Sequence, residues 1–94
     1  MRQFYQSVMG AICSHTGFSE AEILHDRHEI ITDARHLLIQ LLSEKLTNQE
    51  IVHLTSLPKQ TVSRLLNGYR MRCKQKYSLR RMEEEVRRGM KSEE

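Results

Sequence analysis

Ile30, Ile31, Ala34, Leu37, Leu38, Leu41 and Leu42 recur at the three- and four-residue spacing that puts side chains on one face of an α-helix. A stripe of that length has to be covered, and the rest of the chain supplies helices rather than strands to cover it. Glycine is scarce, there is one proline, and leucine, glutamate, lysine and arginine are plentiful. The expected class is all-α. A chain of 94 residues fits one domain that buries roughly two-thirds of its unfolded surface. The expected architecture is a compact bundle of five or six helices with the 30–42 helix as its spine.

The remaining elements follow from apolar spacing and caps. Tyr5, Val8, Met9, Ile12 and Cys13 share a face over Phe4 to about His15, and Gly17 is suited to end that helix. Ser19 with Glu22 has the form of a capping box opening a single turn that ends near Leu24. His25 to Glu29 reads as a charged connector into the long helix, whose polar face carries Arg35, His36, Gln40 and Glu44. Thr47 with Glu50 forms a second capping box, and a brief helix starts at Asn48. It breaks over Thr55-Ser56-Leu57-Pro58; the fixed φ of Pro58 suits the first position of the next helix, which runs from Lys59 to an Asn67-Gly68 stop. Tyr69 to Ser78 is a basic segment without a clear pattern. Leu79, Met82 and Val86 then mark a last helix that frays near Gly89, leaving a polar tail over 89–94.

Charge is distributed unevenly along this framework. Between Glu50 and Glu83 there is no acidic residue but eight basic ones, Lys59, Arg64, Arg70, Arg72, Lys74, Lys76, Arg80 and Arg81. The remainder of the chain holds seven basic and twelve acidic residues, so the overall +3 conceals a polarised molecule with one basic face. Such a face suits a polyanion, although a solvated surface accounts for basic blocks equally well.

Within the window, residues 47–67 carry the punctuation of a helix-turn-helix, whose second helix enters the DNA major groove. At about 100° per residue, Val62, Leu65 and Leu66 fall on one side of that second helix and Gln60, Ser63, Arg64 and Asn67 on the other. The outward set has the right chemistry. Arginine can grip guanine O6 and N7, glutamine can grip adenine N6 and N7, and serine can meet a base edge or a phosphate. Lys59 and Thr61 flank this face near the helix N-terminus, where free N–H groups favour an anion. Many such motifs place a small residue where Val52 stands and glycine where Ser56 stands, so this turn is made without the residue that most easily takes φ > 0. A plain helical hairpin is the alternative.

From Val8 to Val86 the order of features resembles the C-terminal DNA-binding domain of the bacterial replication initiator DnaA, a Trp-repressor-like helical fold. The similarity lies in Gly17-Phe18-Ser19-Glu20-Ala21-Glu22-Ile23-Leu24, in Ala34-Arg35, in Leu46-Thr47-Asn48, in Thr61-Val62 and in Leu79 to Val86. What it implies is double-stranded DNA binding, with a helix in the major groove and an arginine of the connector in the adjacent minor groove; Arg27 matches that arginine. It also implies phosphate contacts from Arg35 and His36, and base contacts where Lys59, Gln60 and Thr61 stand. Combined with the outward face, the candidate base readers are Gln60, Thr61, Ser63, Arg64 and Asn67. The candidate backbone or minor-groove contacts are Arg27, Arg35, His36, Lys59, Arg70, Arg72, Lys74 and Lys76. The chain lacks the family's Gly-Gly-Arg-Asp-His-Thr-Thr signature, has a shorter link between the two helices and carries Asp26 and Glu29 in the connector. It also holds no glycine-rich phosphate loop ending in Gly-Lys-Ser or Gly-Lys-Thr, so no ATP coupling is expected.

Other chemistries fit less well. His25, His28 and His36 with Cys13 and His15 invite zinc, but no Cys-x-x-Cys pair exists and the spacing is wrong for a closed site. Ser14 or Cys13 with His15 cannot pair as nucleophile and base, because neighbours on a helix do not face each other. An enzyme, a cofactor and a small-molecule substrate are therefore not expected. Cys13 and Cys73 read as reduced thiols, and neither a signal peptide nor a membrane span is apparent, which points to the cytoplasm; a bacterial protein in transcription regulation or DNA replication is what the resemblance implies. The competing reading is a helical adaptor whose basic face binds an acidic protein. No second apolar seam indicates a dimer.

Overall fold

The computed structural model describes residues 2–92. It contains six helices: α1 (Arg2–Thr16), α2 (Glu20–His25), α3 (Glu29–Leu42), α4 (Asn48–Thr55), α5 (Lys59–Gln75) and α6 (Tyr77–Ser92). The all-α bundle expected from composition and periodicity is the one that forms. α3 is its axis, packing against α1, α2, α5 and α6. Ala34, Leu37, Leu38 and Leu42 are fully buried on it, as the apolar stripe requires. The exception is Ile30, which stands 60% exposed at the first turn.

Both capping boxes form. Ser19 N–H donates to Glu22 Oε1 at 2.9 Å while Glu22 N–H donates to Ser19 Oγ at 3.2 Å. Thr47 and Glu50 repeat the exchange at 2.9 and 3.2 Å. Each box satisfies two helix-end N–H groups that would otherwise need water, and fixes where α2 and α4 begin. Gly17 ends α1 with φ of 80°, donating to Cys13 O at 2.8 Å.

Two boundaries differ from the sequence reading. Pro58 is the N-cap rather than the first helical residue: its ψ of 147° is extended, and its carbonyl accepts the first helical bond from Val62 N–H at 3.1 Å. More consequentially, Asn67-Gly68 does not stop α5, which continues to Gln75. Local propensity loses here to tertiary burial. A mid-helix glycine costs about 1 kcal/mol, whereas carrying the helix onward buries Tyr69 to 6% exposure and brings its hydroxyl to Glu83 on α6. Burying an aromatic ring contributes about 2 kcal/mol or more, so continuation wins. The break comes at Lys76, with φ −125° and ψ 104°, and α6 begins at once. The segment 69–78 is thus almost wholly helical. α6 likewise passes Gly89 and reaches Ser92; the rest of the tail expected over 89–94 lies outside the described residues.

Two opposite glycine substitutions test these boundaries by thermal melting. Gly68→Ala should raise stability by about 0.5–1 kcal/mol, since residue 68 is helical and a Cβ there meets nothing within 4 Å; a loss would mean that Gly68 is a left-handed cap. Ser56→Gly should also stabilise, by about 0.5–1 kcal/mol, because Ser56 is held at φ 61° where a Cβ is penalised.

Candidate nucleic-acid interface

The unit formed by α4, a three-residue link and α5 is held by contacts made at the link itself. Thr55 is buried, and its hydroxyl donates to Ile51 O at 2.7 Å while accepting Leu57 N–H at 3.2 Å. Ser56 then turns the chain through the left-handed region, with its N–H on Val52 O at 2.8 Å. Serine here does the work usually given to glycine. Leu57 drops into the core at 7% exposure, and Pro58 leads directly into α5. Val62 and Leu65 face the same core.

That anchoring decides what α5 presents outward. Lys59, Gln60, Ser63, Arg64, Asn67 and Gly68 line one shallow concave strip along the helix. Gln60, Arg64 and Asn67 are exposed and Ser63 is half-buried; Thr61 is half-buried and lies off the strip, at its edge. The structure therefore brings together four of the five expected base readers. It also extends their row. Because α5 does not stop at Gly68, Met71 and Lys74 continue the same exposed face, a feature hidden from sequence reading by the Asn-Gly pair. At about 100° per residue, Gln60, Arg64, Asn67, Met71 and Lys74 form a continuous band.

The cations of the acid-free window are not equivalent in their surroundings. Among the described residues, no ion pair joins Lys59, Arg64, Arg70 or Lys74 to an acidic side chain, and all four are exposed. Arg72 and Lys76, expected on the DNA backbone, are instead engaged within the protein. Arg72 Nε lies 2.7 Å from Asp33 Oδ1, and Lys76 Nζ reaches both Asp33, at 3.3 Å, and Glu29. Asp33 is 4% exposed, so removing its partners would strand a carboxylate in a dry site. On α6, Arg81 pairs with Glu85, and Arg80 lies over the Tyr77 ring at 5.7 Å.

Arg35 and His36 also depart from the phosphate-contact expectation. Arg35 is half-buried, with Nε on Ile23 O at 2.7 Å and a second guanidinium nitrogen on Asp26 O, so it caps the carbonyl end of α2. His36 Nδ1 meets Thr32 O at 2.9 Å, and burial pushes its pKa down, which leaves it uncharged at neutral pH. Neither presents a free cation. Arg27 does: it is exposed on the α2–α3 connector, two residues before Glu29, and the Glu29–Lys76 contact sets that connector beside the C-terminal end of α5. The connector is stiffened by Asp26, whose carboxylate accepts His28 N–H at 3.1 Å and is thereby held below the usual carboxylate range.

No protein-family model, curated protein or solved structure matches the chain. Among the described residues, no helix is long and apolar enough to cross a membrane.

The division of the cations is testable on the isolated protein. Arg72→Ala should destabilise by about 2–3 kcal/mol, since it uncovers a buried carboxylate, while Arg70→Ala and Lys74→Ala should stay within about 0.5 kcal/mol of the native chain. Urea unfolding curves measure both; equal effects at all three positions would remove the distinction.

Proposed function

We propose that the chain binds double-stranded DNA, with α4 and α5 acting as a helix-turn-helix and the outward face of α5 entering the major groove. The observation that carries this reading is the single exposed band on α5. Amide and guanidinium groups suited to base edges lie along it, and four cations without acidic partners among the described residues lie on and beside it. Gln60, Arg64 and Asn67 can each satisfy the donor and acceptor pattern of a base edge, and Ser63 can meet a base or a phosphate. Lys59, Arg70 and Lys74 suit phosphates, which supply affinity without sequence information. Arg27, at the far end of α5, is the candidate for the adjacent minor groove.

On this reading the chain is a relative in kind of the DnaA C-terminal domain, acting in the cytoplasm without nucleotide hydrolysis, in transcription regulation or beside replication. The adaptor alternative uses the same cations for an acidic protein, but it leaves the amide-bearing middle of the band without a role.

Selection from random duplexes, followed by gel-shift titration over a salt series, separates the two kinds of contact. Gln60→Ala and Arg64→Ala should each lose about 1–3 kcal/mol on the enriched sequence and much less on unrelated duplexes. Lys59→Ala should weaken all duplexes alike and lower the salt dependence by about one counterion. Absence of any shift at micromolar protein in low salt, with Arg64→Ala indistinguishable from the native chain, would refute DNA binding.

A further inference from the structure

Resting on the DNA-binding reading, we infer that Met71 is a base contact, whose thioether chain meets the 5-methyl group of a thymine in the recognised sequence. Met71 is 65% exposed, and of the three large apolar side chains that are at least 60% exposed among the described residues it is the one on α5; Ile30 and Tyr77 lie in the first turns of α3 and α6. Its position is aligned with the candidate readers. It follows Gln60 by eleven residues, which is three helical turns with an offset of about 20°, and it follows Asn67 by four.

With the band seated in the major groove, the apolar chain of Met71 faces base edges that offer one group of its own kind, the thymine methyl. The neighbours favour this use. Arg70 and Lys74 flank Met71 and have no acidic partner, so its surroundings attract phosphates to either side while the thioether itself faces the groove floor. A long side chain on a helix leans over the preceding turn. Here that turn contains Gly68, where a Cβ would meet nothing within 4 Å, and the methionine has lateral room to adapt to a base edge. Eleven residues of helix rise about 16 Å, so Gln60 and Met71 meet bases at different positions of the recognised sequence.

The test uses duplexes enriched from a random pool by the native chain, in which each thymine is replaced in turn by deoxyuridine. Pairing with adenine is retained and the methyl alone is lost. At one thymine the native chain should bind about fourfold more weakly, the factor that corresponds to about 0.8 kcal/mol for one buried methyl-sized group. Met71→Ala, a substitution at an exposed helical position that leaves the core untouched, should bind the thymine and deoxyuridine duplexes equally at that position. Discrimination retained by Met71→Ala at every thymine, or indifference of the native chain to all of the replacements, would overturn the assignment while leaving DNA binding standing. Failure of the native chain to bind any duplex would remove both, so the two failures are distinct.

Discussion

The carboxylate of Asp33 is the one buried charge among the described residues, and the course of α5 depends on it. A carboxylate taken out of water costs several kcal/mol unless cations meet it, and Arg72 and Lys76 are the groups that do. Apolar packing is non-directional, and Val62, Leu65 and Tyr69 would tolerate some rotation of α5 about its own axis. The ion pairs allow much less. With the left-handed turn at Ser56 fixing one end and Asp33 gripping the other, both the direction and the roll of the helix are defined. The identity of the outward band follows from that.

Charge arithmetic along the sequence therefore overstates the charge available to a partner. Eight basic residues lie between Glu50 and Glu83, but Arg72 and Lys76 are engaged by the buried Asp33, while on α6 the exposed Arg81 pairs with Glu85 and the exposed Arg80 lies over the Tyr77 ring. Lys59, Arg64, Arg70 and Lys74 are exposed, have no ion pair to an acidic side chain among the described residues, and all four project from α5. A basic block had two explanations, a solvated face or a polyanion site; its residues divide between internal ion pairing and exposure, so the block is not uniform in role.

Helix positions were legible wherever a local rule acted alone. The stripe from Ile30 to Leu42, the Ser19 and Thr47 capping boxes and the glycine stop at Gly17 all depend on residues within a turn or two of one another. The same reading failed where distant residues decided the outcome. Asn67-Gly68 has the form of a stop, but Tyr69 finds Glu83 and Arg72 finds Asp33, partners fourteen and thirty-nine positions away. The helical period puts Arg35 and His36 on the polar face of α3, yet nothing local shows that the guanidinium turns back onto the carbonyls of α2. The first half of the α5 band, from Gln60 to Asn67, could be drawn from angles alone. Met71 and Lys74 could not, because their place on the band exists only once the helix is known to continue.

The first and last helices of the described chain lie against each other: α6 packs on α1 as well as on α3 and α5, and Leu79 and Val86 fill the core alongside Val8 and Ile12. A polypeptide emerging from the ribosome therefore holds α1 to α5 with a side of the core still open to water until α6 has been made. Domains fold as units, and the core of this one closes with α6. The candidate DNA-facing helix is synthesised before the element that finishes its support, so a nascent chain long enough to display α5 is not yet the folded molecule that could use it.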